Sequence, residues 1–360
     1  NSWNYKDKDL KAEFYKKNLL SSLSTFDKVE QKALKNTFQI IFNENANKWI
    51  RLGAKFGLSS EIYNYKLRRQ MNKYTWKQQP EDIHNTALLA GLFSKSGKSL
   101  NWYANGKLVL EGYQQGDFKL SGDVIKWVGD KKENNGFRAF GKLESKTPNM
   151  IFDEYYGNHQ IWKNDFSKEV EIHAQGEYFN KKHKFRIGAS FNQIENYVYF
   201  GLDTLPQQAE SGITVLTAYV DKDFKLGKFH FNQKLVFQKT SSDNILPLPK
   251  FSIYSNNYYK NNFFKGALGF QAGVALHYNT AFYAPAYIPA TGQFYLQNNK
   301  EIGDYPKVDV YVNIRIKRTR FFFMYEHINS SMGKRNYFSA LHYPIAPGMF
   351  KYGLVWSFYD

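Results

Sequence analysis

Residues 308–317 read VDVYVNIRIK, and residues 350–358, close to the end of the chain, read FKYGLVWSF. In both stretches, apolar side chains occupy every second position. A third stretch between them, FFFMYE at 321–326, has the same period. Because successive side chains of a β-strand point to opposite faces, this period predicts strands with one apolar and one polar face. The apolar face is rich in aromatic rings and the other carries charges, which is typical of the strands of a transmembrane β-barrel.

The same alternation runs through most of the chain from about residue 33. The connections between the alternating runs differ in length in a regular way. Short turns are predicted near 43–47, 94–99, 129–134, 180–183, 224–227, 261–265 and 317–319, and long loops near 66–81, 148–167, 203–211, 241–248, 284–304 and 329–347. Tight turns on one side of the membrane and longer loops on the other are typical of bacterial outer-membrane barrels.

The sequence therefore predicts an all-β protein, a transmembrane antiparallel up-and-down β-barrel with about 15 strands in this chain. The barrel is predicted over 33–358, with 349–358 as its C-terminal strand and 1–32 as an external loop. Residues 1–5 read like the tail of a strand, and bacterial single-chain barrels have an even number of strands. At least one more strand is therefore expected upstream, which gives 16 or more in total.

Composition agrees with a barrel. Lys and Arg number 49 against 32 Asp and Glu, which gives a net charge of +17, and aromatic residues make up 18% of the chain. Mean hydropathy is −0.58, and no apolar run approaches the roughly 20 residues of a membrane helix. A barrel strand needs only about 10 residues, of which half face lipid, so a barrel is hydrophilic on average.

Several classes of site are not indicated. The chain has no cysteine and eight histidines without metal-ligand spacing, which excludes a disulfide framework and thiolate metal sites. It contains no phosphate-binding loop, dinucleotide fingerprint or nucleophile elbow. We therefore predict no catalytic, cofactor or metal site and a protein that is not an enzyme, although a hydrolase assembled across strands remains open. The dispersed basic residues and the lack of a known motif predict no nucleic-acid partner.

Aromatic side chains lie near the ends of several predicted strands, on the apolar row. Amphipathic rings prefer the headgroup level of a membrane, so these side chains are predicted to form two lipid-facing girdles. The alternative is that they are core aromatics of a soluble β-protein. The candidates are Trp49, Trp102, Tyr178, Tyr278, Tyr352, Trp356 and Phe358.

Basic side chains lie on the opposite row, which would line the lumen of a barrel. One interpretation is a preference for anions, because a ring of Lys and Arg stabilises a permeating anion. The other is a structural lattice of ion pairs, because acidic residues share this row: Asp123, Glu144, Glu171, Glu177, Asp309 and Glu326. The predicted lumen-lining residues are Arg51, Lys55, Lys107, Arg138, Lys142, Arg186, Lys234, Arg315, Lys317 and Lys351.

The C-terminal region carries a family resemblance. Residues 302–313 (IGDYPKVDVYVN), 317–323 (KRTRFFF) and 325–329 (YEHIN), with the closing GLVWSF at 353–358, resemble the C-terminal region of the Bacteroidetes-type putative porins. Related segments occur in the barrels of TonB-dependent receptors. The resemblance is sharpest over 300–358 and looser over 35–280, and Tyr359 and Asp360 depart from it by following the last aromatic residue. It implies an integral protein of the bacterial outer membrane whose final strand is read by the barrel-assembly machinery.

Together these observations predict a channel for passive diffusion of small hydrophilic solutes through a net-basic lumen. Two alternatives stay open: a plugged structural or partner-bound barrel subunit of an export or uptake complex, and the barrel of a TonB-dependent transporter. The expected partners are outer-membrane lipid and lipopolysaccharide, the barrel-assembly machinery, and other outer-membrane proteins or further copies of the chain.

Overall fold

The computed structural model describes residues 2–7, 15, 17–21, 25–44, 52–72, 75–97, 99–129, 134–332 and 337–358. The predicted site residues Trp49 and Arg51 lie outside these residues, as do Tyr359 and Asp360 at the end of the chain. Within the described part, no helix is both long enough and apolar enough to cross a membrane.

One antiparallel sheet of sixteen strands dominates the described residues, and each of its strands is hydrogen-bonded to the next along the chain. Its members are β1 (Ser2–Asp7), β2 (Thr25–Phe42), β3 (Gly53–Asn72), β4 (Thr75–Ser94), β5 (Leu100–Gly112), β6 (Phe118–Val128), β7 (Asn135–Lys146), β10 (Glu169–Asn180), β11 (Phe185–Glu195), β14 (Ile213–Leu226), β15 (Phe229–Thr240), β16 (Phe251–Phe263), β17 (Leu268–Asn279), β20 (Lys307–Ile316), β21 (Thr319–Glu326) and β24 (Met349–Trp356).

Eight shorter strands form four hairpins inside the long connections. They are β8 (Glu154–Tyr156), β9 (Ile161–Lys163), β12 (Val198–Phe200), β13 (Pro206–Gln208), β18 (Ala286–Ile288), β19 (Gln293–Tyr295), β22 (Phe338–Ala340) and β23 (Tyr343–Pro344); the single-turn helix α1 (Met150–Asp153) precedes β8. Four of the long connections therefore contain folded elements.

Register confirms the two-faced pattern of the strands. Val312 lies opposite Ala272 of β17 and Phe323 of β21, whereas Asn313 lies opposite Gln271 and Phe322. We call the face of Val312 the apolar face and the face of Asn313 the polar face. Large apolar side chains on the apolar face are exposed, for example Leu354 at 55% and Tyr352 at 76%. A soluble sheet would bury such a row, so this face requires an apolar surrounding.

The buried apolar side chains lie mainly in the connections and not in the sheet. The largest cluster contains Tyr155, Trp162, Phe200, Ile288 and Ala290. Tyr5 of β1 and Val29 of β2 also pack against it. In a flat sheet, at about 4.8 Å per strand, β2 would lie about 50 Å from β17, which leads into the segment of Ile288. The sheet is therefore curved so that distant strands approach each other, as in a barrel wall.

Two predicted connections differ from the structure. The loop predicted at 66–81 is wrong: β3 continues to Asn72 and β4 begins at Thr75. The polar stretch that predicted a loop is thus part of two paired strands, with Leu67 opposite Gln79 and Arg69 opposite Lys77. The segment 1–32, predicted as an external loop, contains β1 and the first part of β2.

Candidate lumen wall and external loop cap

Acidic side chains on the polar face hold most of its basic ones by ion pairs. The Nε of Arg138 lies 2.5 Å from an oxygen of Asp123, which is 2% exposed. The Nζ of Lys107 lies 3.0 Å from Glu61, and the two carboxylates around Lys142 lie 3.2 Å (Glu144) and 2.7 Å (Glu171) from it. All these side chains lie on the polar face: two of the pairs join neighbouring strands, Lys142 and Glu144 are two residues apart on β7, and Lys107 reaches Glu61 across β4.

A second group of pairs lies nearer the C-terminus. Arg186 of β11 is 2.6 Å from Asp221 of β14. Glu326, at the end of β21, binds Lys351 of β24 and lies 2.6 Å from Lys307 of β20. Five of the predicted lumen residues thus form ion pairs of the kind that a structural lattice requires: Lys107, Arg138, Lys142, Arg186 and Lys351.

The remaining described candidates differ. Lys55, Lys234, Arg315 and Lys317 form no ion pair with a residue in the described ranges. The first three lie on the polar face of β3, β15 and β20, and Lys317 lies in the turn between β20 and β21. Sequence reasoning missed Arg320 and Lys260, which share this face. Arg320 could have been recognised from the sequence, because its even spacing from Phe322 and Glu326 places it on the same row of the strand.

Most of the predicted girdle residues in the described ranges lie on the apolar face of the sheet, and that they face lipid stays a prediction. Register places Trp102, Tyr178 and Tyr278 on the apolar face, opposite Val124, Phe137 and Ile253 respectively. Tyr352 and Trp356 share the apolar row of β24, and Phe358 stacks on Trp356 with ring centroids 5.2 Å apart. Their depth in the membrane stays a prediction.

Four connections and an N-terminal segment pack together at one end of the sheet. We call this unit the loop cap; it comprises the described residues of 15–21, 147–168, 196–212, 280–306 and 327–348. Tyr155 donates a hydrogen bond from its hydroxyl to the carbonyl of Ala290 (3.0 Å), and the amide of Ala290 donates to the hydroxyl of Tyr15 (2.8 Å). Burial raises the pKa of Tyr15.

Asn158 is the polar centre of the loop cap and is 1% exposed. Its side-chain oxygen accepts hydrogen bonds from the amides of Leu20 and Ser21, both at 2.8 Å. Its side-chain nitrogen donates to Thr25 at 2.7 Å, and its own amide lies 3.0 Å from Asp27. One side chain thereby ties the connection between β7 and β10 to the first strands of the sheet. No pattern in the sequence singles out this asparagine.

His327 is the counterpart of Asn158 at the C-terminal side of the loop cap. It is fully buried, and its two ring nitrogens lie 2.7 Å from the carbonyl oxygen of Ala346 and 2.8 Å from the hydroxyl of Tyr305. Its amide donates to Asp309 at 2.7 Å. Both ring nitrogens are thus occupied within the protein. In the described residues, no group of three or more His, Cys, Asp or Glu is arranged to hold a metal ion.

The whole chain matches one protein family. A family model described as "Putative porin" matches residues 1–360. The chain belongs to the putative porin family. No curated protein matches its sequence. The predicted outer-membrane barrel and the predicted resemblance to putative porins are therefore confirmed, whereas the Bacteroidetes type stays a prediction; the chain is an integral β-barrel of the outer membrane.

Solved structures similar to this porin include a siderophore receptor, a ferric enterobactin receptor and a copper transporter. The siderophore receptor PirA from Acinetobacter baumannii has a TM-score of 0.66 at 9% identity, over 95% of this chain and 58% of that one. The ferric enterobactin receptor PfeA from Pseudomonas aeruginosa has a TM-score of 0.67 at 10% identity, over 92% and 54%. The copper transporter OprC has a TM-score of 0.65 at 11% identity, over 92% and 57%.

The porin spans less than two thirds of the length of each of these proteins. At such low identity the likeness concerns the fold alone. The family match and the fold together identify the chain as an outer-membrane β-barrel of the putative porin family.

Proposed function

We propose that this porin is a channel for the passive diffusion of small hydrophilic solutes, with the polar face around a water-filled lumen. The observation that carries the proposal is the distribution of side chains on the two faces of the sheet, which is the opposite of that in a soluble protein. Its large apolar side chains are exposed on one face, whereas ion-paired and amide side chains cover the other. Only hydrocarbon outside and water inside would stabilise both faces at once.

The net charge of the polar face supports a preference for anions. Ion-paired residues such as Arg138 and Lys142 contribute little to the electric field in the lumen, because the charges of their acidic partners compensate theirs. Lys55, Lys234 and Arg315, which have no such partner in the described ranges, leave an excess of positive charge. A permeating anion is stabilised by that field and a cation is repelled.

Planar-bilayer conductance tests the channel, and single cysteines test the lining. The chain has no cysteine, so one introduced thiol is the only reactive group. A charged thiol reagent should reduce the current of Asn313→Cys and leave that of the neighbouring Val312→Cys unchanged. Equal reaction at both positions, or no steady single-channel current, would contradict the proposal.

A partner-bound barrel with a closed lumen is the second candidate, and the loop cap favours it. Connections that leave different parts of a barrel wall can meet only across its mouth. Tyr155, Phe200 and Ile288 come from three such connections and share one buried cluster. If the loop cap seals the mouth, the intact protein will show no steady current, and shortening the connections of the loop cap will produce one.

We further propose the contacts of the assembled protein. Lipid and lipopolysaccharide would surround the apolar face, and the barrel-assembly machinery would read the aromatic strand β24 during insertion. Other outer-membrane proteins or a second copy of the chain could cover part of the apolar face. Chemical cross-linking in isolated outer membranes would identify such neighbours.

A further inference from the structure

Two arginines face each other near the short-turn end of the polar face. Arg315 of β20 and Arg320 of β21 are directly opposed in the ladder, and like charges in that position destabilise a sheet. Lys260 of β16 lies on the same face. None of the three forms an ion pair or a side-chain hydrogen bond within the described part of the chain.

The surrounding strands hold no carboxylate that could neutralise them. Across β15, β16, β17, β20, β21 and β24, the acidic residues are Asp309 and Glu326. Both lie at the loop-cap end of their strands, and both are engaged there, Asp309 by the amide of His327 and Glu326 by Lys307 and Lys351. Elsewhere on the polar face, described lysines and arginines such as Arg138 and Lys142 have acidic partners. Lys55 of β3 also forms no ion pair in the described ranges, but this sector brings together three basic residues that have none.

The three basic residues line one cavity of about 530 Å³. Asn262, Gln271 and Asn313 line it too and supply amide groups. Arg315 lies across Gly269: a Cβ at position 269 would be 3.5 Å from its Nε and 3.4 Å from the amide oxygen of Asn262. On the other side, the ring of Phe322 covers Gly353, where it leaves no room for a side chain.

We propose that this cavity binds the phosphate group of a small solute during its passage through the lumen; the inference rests on the proposed channel function. Two guanidinium groups and one ammonium exceed what a single carboxylate would balance, and they match a dianion. Guanidinium pairs bind phosphate oxygens through parallel N–H···O bonds, and the amides satisfy the remaining lone pairs. Bound phosphate would also relieve the repulsion between Arg315 and Arg320.

The channel test measures block of chloride current by inorganic phosphate in planar bilayers. Phosphate should reduce the current of the wild-type porin in a saturable manner. In R315Q/R320Q, the apparent phosphate affinity should fall about ten-fold or more, because a charge-assisted hydrogen bond is lost at each arginine. The matched control is R186Q, which removes a polar-face arginine that is paired with Asp221. An equal loss in R186Q would overturn the site, because it would then reflect charge alone.

Calorimetric titration of phosphate into the full chain in detergent separates this inference from the channel function. Heat of binding that disappears in R315Q/R320Q, without any channel current, would refute the channel and keep the site. Current without phosphate binding would keep the channel and refute the site. If R315Q/R320Q fails to fold, R315K/R320K keeps the charge and removes the paired donors. Retention of full affinity in that variant would refute recognition by guanidinium groups.

Discussion

At the scale of single residues, the folded structure of the porin depends on buried polar groups. Asn158 is nearly inaccessible, yet all its side-chain hydrogen-bonding groups have partners. Such a network stabilises one arrangement of the chain, because any partner left unsatisfied loses its hydration without compensation. Asn158 therefore fixes Leu20 and Ser21 against the rest of the loop cap more specifically than the apolar cluster alone could.

Replacing Asn158 by alanine should loosen the N-terminal segment. The amides of Leu20 and Ser21 would lose their acceptor, at a cost of about 1–3 kcal/mol. Hydrogen–deuterium exchange at these two amides should accelerate, while exchange in β10 should stay unchanged. Asn298→Ala is the matched control, since Asn298 is exposed in the same loop cap. Unchanged exchange in Asn158→Ala would refute the role of the side chain.

The Arg138–Asp123 pair offers a second test. Asp123 is buried, so Arg138→Gln leaves its charge without a partner and should lower the free energy of unfolding by about 1–3 kcal/mol. Adding Asp123→Asn should recover part of the loss, because the unpaired charge disappears. The measurement is the thermal unfolding midpoint in detergent for the two single variants and the double variant. Strictly additive losses would show that the two groups do not stabilise each other.

At the scale of elements, the period of two decides which solvent each side chain meets. Neighbouring positions of β20 illustrate this: Val312 lies between Ala272 and Phe323, and Asn313 lies between Gln271 and Phe322. A shift of one residue in register would place every charge of the strand against hydrocarbon. The long alternating strands therefore specify their own pairing.

An arginine at either position distinguishes the two faces. Val312→Arg should make the free energy of insertion into lipid vesicles less favourable by about 2–4 kcal/mol, because a charged side chain on the lipid face is costly near the bilayer midplane. Asn313→Arg should insert as well as the wild type, since the polar face is hydrated. Folded and unfolded fractions can be separated by their electrophoretic mobility without boiling. Equal insertion of both variants would mean that the facing is wrong.

At the scale of the whole molecule, the chain combines a curved sheet with a cap made of its own connections. The loop cap buries its aromatic side chains, whereas the large apolar side chains on the apolar face of the sheet are exposed. The two parts obey opposite rules because one is surrounded by protein and the other by lipid. Under the proposed channel function, the loop cap would set access to the lumen, and the polar face would set the affinity for a solute within it.

Shortening one connection of the loop cap should widen the mouth. Replacement of 285–303 by a short Gly-Ser linker removes Ile288 and Ala290 from the buried cluster. Single-channel conductance should rise, or appear if the intact protein has none. The control replaces 243–248, a connection that lies outside the loop cap. No change in conductance in the 285–303 variant would show that the loop cap does not limit the passage.

The sequence by itself determined the strand period, the two faces and the family, because alternation along a strand is local and is preserved in every pairing. It thus placed Arg315 and Asn313 on one row and Leu354 and Trp356 on the other. Only the tertiary structure decided which charges neutralise each other, that three connections share one buried cluster, and that Arg315 meets Arg320 with no acidic partner among the described residues. Those facts depend on register between strands and on contacts over more than a hundred residues, which no local pattern encodes.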